Sequence, residues 1–312
     1  MTARPTILCP VDFSDASLGS LKYARLIAGH FGARMMVLAV EDPLLTEAID
    51  LGTGHEWNPE DTRNELTRFV SRALGDVQLN DVEYEITVGK PAQQILKTAQ
   101  EKACDLIVMS THGLTGMRKM FFGSTTERVL RETTVPVLAT PPGEVPSSMD
   151  QMRASIGRIL VPVDLSDASI HQVQVARSVS DALRVPFIAT YVVEPVRSPL
   201  AAKLHLPSIE IERKTRAEDA LGELLATVPR ALHPEALVAY GDPAEEIAKV
   251  ARDRRAGLIV IGLHGSPLLG PRMGSVTYRV LCLVSALVLA LPPKDQPEAA
   301  EPTAEGRSFV HK

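Results

Sequence analysis

The sequence contains few cysteines, few aromatic residues and no long apolar segment. Its three cysteines, Cys9, Cys104 and Cys282, are widely spaced among apolar residues, which predicts reduced core thiols and disfavours a disulfide framework or metal site. The longest late apolar run, 286–291, is too short to span a bilayer. The amino-terminal residues do not show the pattern of a signal peptide. We therefore expect a cytoplasmic protein that does not contact a membrane.

Charge and motif content disfavour other classes. The formal net charge of -5 argues against a general nucleic-acid-binding surface, which needs clustered lysine and arginine. The chain has neither a G-x4-GK[ST] phosphate loop nor a G-x-G-x-x-G fingerprint, which disfavours motor-type NTPases and dehydrogenases. With 45% hydrophobic and 23% charged residues, the composition is that of a globular protein, and 312 residues suffice for two domains. We expect the partner to be a small molecule or a protein.

The chain contains one unit of sequence twice. TILCPVDFSDAS near the amino terminus matches RILVPVDLSDAS, which places Asp12 on Asp164 at an offset of 152 (164 − 12). TVGKPAQQILKTA, DLIVMSTHG and VPVLATPP match AYGDPAEEIAKVA, GLIVIGLHG and ALVLALPP in the same order. Such repetition predicts a duplicated domain. We divide the chain into four parts: domain one (1–142), a linker (143–157), domain two (158–293) and a tail (294–312) predicted to be disordered.

Each unit alternates apolar strands with helices, which predicts an α/β fold with two Rossmann-like, doubly wound, five-stranded parallel sheets. In such sheets ligands bind outside the carboxyl ends of the strands, where the strand order reverses. Asp12, Val40 and the segment 109–113 all follow strands, so they are expected to converge. The last strands, 135–140 and 286–291, would be exposed edges. We therefore predict that they pair antiparallel in an intramolecular pseudo-dimer, and a further homodimer stays open.

The segment 105–125 carries the strongest indication of a ligand. A buried strand leads into a small-residue turn, and Gly123-Ser124-Thr125 then begins a helix. Glycine lets a phosphate approach the backbone, and the amides at a helix start point towards it. A plain strand-to-helix connection explains a single copy equally well. The second occurrence of the pattern favours a phosphate site.

Together, PVDFSDAS, GKPAQQI or GDPAEEI, the THG-x9-GS loop and VPVLATPP resemble the universal stress protein family in its tandem two-domain form. The resemblance covers almost the whole chain. It implies an adenine nucleotide alpha hydrolase-like fold with five strands per unit. In one branch of that family it also implies a bound ATP. That branch has a Gly-x2-Gly-x9-Gly-Ser/Thr pattern for the phosphates, an aspartate after strand one and a backbone contact after strand two.

The resemblance assigns a nucleotide-binding set to each copy. In copy one the set is Pro10, Asp12, Val40, Met109, Ser110, Gly113, Gly123, Ser124 and Thr125. In copy two the set is Pro162, Asp164, Val192, Ile261, Gly262, Gly265, Gly274, Ser275 and Val276. Copy one departs from the family pattern because a serine replaces the first glycine, which adds a Cβ where the backbone would approach the ligand. Copy two departs because its glycine loop is one residue shorter and contains two prolines.

These features predict a sensor or regulatory module that binds an adenine nucleotide, ATP first of all, with Mg²⁺ as an optional companion ion. Asp12 has no base or nucleophile at a fixed spacing, so no catalytic residue is assigned. A slow ATPase or another enzyme using the same pocket is the main alternative. A nucleotide-free structural or chaperone-like protein is the third. Retention of intact ATP would distinguish a binding module from an enzyme.

Overall fold

A computed structural model of the chain describes seven ranges of residues: 4–43, 58–75, 82–111, 123–195, 207–227, 234–263 and 273–293. Two of the proposed phosphate-site glycines, Gly113 and Gly265, lie outside these ranges. The tail for which disorder is predicted, 294–312, also lies outside them.

The first half alternates strands and helices as predicted. Its elements are β1 (Thr6–Val11), α1 (Asp15–Phe31), β2 (Arg34–Glu41), α2 (Pro59–Leu74), β3 (Val82–Val88), α3 (Pro91–Glu101), β4 (Leu106–Ser110), α4 (Ser124–Glu132) and β5 (Val137–Thr140). The linker adds a helix that the sequence did not predict, α5 (Met149–Ile156). The second half repeats the first as β6 (Ile159–Pro162), α6 (Asp167–Leu183), β7 (Phe187–Val193), α7 (Pro207–Ala226), β8 (Glu235–Tyr240), α8 (Pro243–Asp253), β9 (Leu258–Gly262), α9 (Ser275–Leu283) and β10 (Leu287–Leu291).

The strands of both halves form one continuous sheet. Its order is β3-β2-β1-β4-β5-β10-β9-β6-β7-β8. Within the described ranges the strands of each half pair parallel, and β5 and β10 are the one antiparallel pair. The facing residues are Ala139 with Val288, Leu138 with Leu289, and Val137 with Ala290. The predicted antiparallel pairing of the two last strands is confirmed, and it joins the two predicted sheets into one.

Local sequence explains where α1 begins and ends. The Ser14 side chain accepts a hydrogen bond from the Ser17 amide at 3.2 Å, which satisfies one of the unpaired donors of the first turn. Gly32 ends the helix at φ 63, a left-handed conformation that glycine adopts without steric cost. Between these residues, Leu21 and Ala24 are fully buried against the sheet. The helix is therefore fixed by its caps and by one apolar face.

Two apolar layers cover the sheet, one on each face. The first lies under α1, α2, α6 and α7, and the second lies under α3, α4, α8 and α9. Both layers contain residues from both halves, so the core is shared across the β5–β10 junction. This continuity fixes the two halves relative to each other.

The linker packs against both halves. Met152 and Ile156 of α5 are buried in the first layer. On copy two, the Gly257 amide donates to the Ile156 carbonyl at 2.9 Å. A Cβ on Gly257 would lie only 2.7 Å from the Ile156 Cα and closer still to the Ser155 carbonyl oxygen. The linker thus ends in a backbone-to-backbone contact that requires glycine at position 257.

Candidate functional site

A crevice opens in each half where the strand order reverses. In copy one, β1 and β4 pair only at Ile7–Leu106 and Leu8–Ile107. In copy two, β6 and β9 pair only at Ile159–Leu258 and Leu160–Ile259. Beyond these residues the strands separate, and their carboxyl ends face the crevice. This is the ligand-binding position of doubly wound sheets.

An aspartate directly after the first strand braces one side of each crevice. In copy one, Asp12 Oδ1 accepts hydrogen bonds from the Ser14 amide at 3.2 Å and from the Ser14 hydroxyl at 2.5 Å. In copy two, Asp164 Oδ1 accepts from the Ser166 amide at 3.0 Å, from its hydroxyl at 2.6 Å and from the Ser169 hydroxyl at 2.8 Å. Ser166 stands at the start of α6 as Ser14 does at α1, but its side chain makes no cap bond, and its hydroxyl donates to Asp164.

The residue after each aspartate has a left-handed backbone. Phe13 has φ 60 and Leu165 has φ 61, which is uncommon for residues with a side chain. In copy one the turn directs Phe13 towards α2, where its ring meets Phe69 edge-on at a centroid distance of 5.5 Å. The Arg72 guanidinium lies over the Phe69 ring at 5.2 Å. The aspartate turn is therefore anchored on α2, a contact that sequence reasoning missed.

The other side of each crevice is the helix start predicted to bind phosphate. The Thr126 hydroxyl donates to the Ser110 carbonyl at 2.8 Å, and the Gly123 amide donates to the Thr111 carbonyl at 3.1 Å. These bonds tie the first turn of α4 to the end of β4. In copy two the corresponding bonds run from Thr277 to Gly262 and from Gly274 to Leu263, both at 2.9 Å. Sequence reasoning did not single out Thr126 or Thr277, although both recur at the same place in the repeat.

Glycine at these helix starts is not required by the backbone. Gly123 has φ -59 and ψ 133, and Gly274 has φ -59 and ψ 147, which any L-residue adopts. A Cβ on Gly274 would lie 3.9 Å from the Leu263 carbonyl oxygen and from the Thr277 hydroxyl, an ordinary contact. Among the described residues, no side chain caps either helix. Glycine is an accepted N-cap, but serine or aspartate caps better by roughly a few tenths of a kcal/mol, so stability does not require glycine at either position.

The remaining predicted residues lie around the same crevices. Pro10 and Pro162 lie beyond the residues at which β1 pairs with β4 and β6 pairs with β9. Met109 and Ile261 are buried near the ends of β4 and β9, and Val40 and Val192 belong to the same apolar layer as these two. At the helix starts the exposed or half-buried residues are Ser124, Thr125, Ser275 and Val276.

The described residues limit other kinds of site. Among them, no group of three or more histidine, cysteine or acidic side chains is arranged to hold a metal ion. All three cysteines are free, and burial raises the pKa of the Cys104 thiol to about 11. Burial also raises the pKa of Cys9. Within the same ranges no helix has the length and apolar character needed to cross a bilayer.

Fold and crevices together define a duplicated, doubly wound α/β protein with one ligand crevice per half. The family model described as "Universal stress protein family" matches residues 4–141 and again 155–292. The chain therefore belongs to the universal stress protein family, as the resemblance implied.

Individual relatives agree with this assignment. A universal stress protein of Methanocaldococcus jannaschii is 33% identical over 138 residues, which cover 42% of this chain and 79% of the relative. Two solved structures match both halves. The first, a functionally unknown protein from Pseudomonas aeruginosa, has a TM-score of 0.64 at 19% identity, and the match covers 93% of each chain. A universal stress protein from Archaeoglobus fulgidus has a TM-score of 0.62 at 18% identity, covering 93% of this chain and 98% of that one. At these identities the two structures support the fold alone.

Proposed function

We propose that this protein is a stress-response regulatory module that binds an adenine nucleotide, with ATP as the first candidate. The observation that carries the proposal is the glycine at the start of both α4 and α9. Neither glycine is needed for the backbone conformation, and a Cβ on Gly274 would lie no closer than 3.9 Å to its neighbours. A phosphate seated on the helix start explains why a side chain is absent from both positions.

The residues of copy one fit the parts of an adenine nucleotide. The amides of Gly123, Ser124 and Thr125 lie at the positive end of the α4 dipole, which favours a phosphate. The two hydroxyls of Ser124 and Thr125 add donors. Across the crevice, Asp12 supplies a carboxylate that can accept from ribose hydroxyls, and Val40 lies at the end of β2, where a base could contact the backbone. Any Mg²⁺ would be held mainly by phosphate oxygens, because the described residues contain no ready metal cluster.

Copy two has a weaker set of phosphate donors. Val276 stands where copy one has Thr125, so one hydroxyl donor is lost. We therefore expect copy one to bind the nucleotide more tightly than copy two.

Binding without rapid turnover is the form of the proposal best supported by the site. Asp12 Oδ1 accepts hydrogen bonds from the Ser14 amide and hydroxyl and so braces its own turn, whereas a general base needs a carboxylate oxygen directed at the attacking water. Two of the three thiols are buried with raised pKa values, so they are poor nucleophiles. Reduced, apolar-packed thiols also favour a cytoplasmic location.

The test is to identify what the purified protein carries and what it does with it. Mass spectrometry of the ligand released by denaturation should detect an adenine nucleotide, and calorimetry on stripped protein should give a Kd for ATP but not for GTP. Incubation with ATP for hours should return intact ATP. Conversion to ADP would instead support the slow-ATPase alternative. Absence of both a released nucleotide and ATP binding would refute the proposal.

A further inference from the structure

The two halves differ at one pair of positions beneath the crevice. Copy one has Ser20 on α1 and Ser110 at the end of β4. Copy two has Gln172 and Gly262 at the same offset of 152 (172 − 20 and 262 − 110). We propose that each pair is a coupled packing unit. In copy two Gly262 makes room for the Gln172 side chain, whereas in copy one Ser110 points at the α1 layer and leaves the nucleotide pocket intact.

Gln172 is a buried side chain that bridges the crevice of copy two from below. Its Nε2 donates to the Pro162 carbonyl at 2.5 Å and to the Val260 carbonyl at 2.9 Å. These carbonyls belong to β6 and β9, beyond the last residues at which the two strands pair. A buried carbonyl strongly favours a partner, so the two bonds hold the Gln172 amide in one position.

The position of Gln172 accounts for the glycine at position 262. A Cβ on Gly262 would lie 3.3 Å from Gln172 Oε1, closer than an ordinary van der Waals contact. Gly262 is not among the residues with positive φ, so its backbone conformation does not demand glycine. The nearest atom to that Cβ belongs to a side chain of α6. The missing side chain thus leaves space on the helix side of the strand.

Copy one solves the same packing problem with two small residues. The Ser20 hydroxyl lies 2.7 Å from the Thr140 hydroxyl and donates to the Ala16 carbonyl at 3.3 Å. Side chains alternate along a strand, so Ser110 lies on the same face as Val108, which packs in the α1 layer. The Cβ of Ser110 is therefore accommodated where Gln172 lies in copy two. The conclusion that Ser110 does not impair nucleotide binding rests on the proposed function, whereas the packing pair itself does not.

A double-mutant cycle on the full chain tests the pair in copy two. Gly262→Ser should lower Tm by about 2–4 °C because the new side chain meets Gln172. In a Gln172→Ser background the same substitution should cost little, because the space has been opened. The reciprocal cycle in copy one is the matched control: Ser20→Gln should lower Tm, and adding Ser110→Gly should recover part of the loss. Additive effects in both cycles would overturn the proposed coupling.

Nucleotide titration tests the consequence for the site. The nucleotide-binding role that the resemblance assigned to position 110 then belongs to the backbone alone, and the Ser110 side chain lies outside the binding machinery. Ser110→Gly should therefore leave the Kd for ATP within about twofold of the parent value. A tightening of tenfold or more would show that Ser110 obstructs the nucleotide and would overturn this part of the inference. If the parent protein does not bind ATP, the proposed function fails, and the two stability cycles still decide whether the packing pair exists.

Discussion

Gly123→Val is the substitution that separates the ligand role of the helix start from its structural role. Valine can adopt φ -59 and ψ 133, so the backbone of Gly123 need not change. The equivalent Gly274 has room for a Cβ at 3.9 Å from its nearest neighbours. The added side chain would instead occupy the space in front of the first amides of α4, where the phosphate is proposed to lie.

The expected effects on binding and stability differ in size. Hydrogen bonds to a charged group contribute about 1.5–3 kcal/mol each, so loss of one or two weakens ATP binding by roughly tenfold at the least and by more than about 1,000-fold at the most. Valine is a poor helix cap compared with glycine, which costs about 1 kcal/mol. For a half of this size, that cost corresponds to a fall in Tm of about 2–4 °C. Binding should therefore be lost while the fold is kept.

Isothermal titration calorimetry with ATP, together with thermal unfolding followed by circular dichroism, measures both effects. Gly222→Ala is the matched control, because Gly222 lies in α7 and a Cβ there would have no heavy atom within 4 Å. Alanine should stabilise that helix by about 0.5–1 kcal/mol and leave the Kd unchanged. If Gly123→Val bound ATP as well as the parent, the phosphate site would not be at this helix start.

Three further predictions concern the framework. Gly257→Ala should destabilise the protein by about 1–3 kcal/mol in urea unfolding, because its Cβ would overlap the backbone of α5, and an unchanged midpoint would contradict the linker contact. In native protein at pH 8, iodoacetamide should leave Cys9 and Cys104 unmodified, since a pKa of about 11 leaves roughly one Cys104 thiol in a thousand ionised. In urea both cysteines should become exposed and be modified. Rapid labelling of the native protein would refute this prediction. The hydrogen bond from Arg279 lowers the pKa of Asp242, so the pair stabilises the fold above the unfolded pKa of about 3.9, and this contribution is lost as pH falls through the folded pKa. Arg279→Ala should therefore be less stable than the parent at pH 7 and equally stable in acid. Arg128→Ala, its copy-one equivalent, should show a smaller difference between the two pH values.

The sequence was sufficient to predict the sheet because its pattern is local and repeated. Alternating strands and helices, Ser14 before α1 and Gly32 after it each act within a few residues. The duplication repeats the alternation and the serine, whereas Arg184 replaces the glycine in copy two. The pairing of β5 with β10 followed from the need to cover two apolar edges. Such features depend on residues close together in the chain, so they can be predicted without knowing the structure.

Contacts between distant residues were beyond the reach of the sequence. The Gln172–Gly262 pair joins residues on different elements, and nothing in either segment marks the contact. The same holds for Gly257, which lies just before β9 and contacts α5, a helix that the sequence did not predict. A comparison of the copies at the offset of 152 could have pointed to Gln172, Gly262 and Gly257, because the copies differ at each of these positions.

The antiparallel junction has a consequence for how the two pockets act. Because β5 and β10 run in opposite directions, the strands of the two halves point in opposite directions. Their carboxyl ends therefore lie at opposite ends of the strands across the sheet, one half's at the top and the other half's at the bottom. A single nucleotide cannot reach both crevices, and the residues assigned to one crevice all come from its own half. We therefore predict that Gly274→Val leaves the affinity of copy one for ATP within about twofold of the parent value while removing any second binding event. Calorimetry of Gly123→Val, Gly274→Val and the double variant would measure this. A tenfold loss of copy-one affinity in Gly274→Val would show instead that the shared core couples the two pockets.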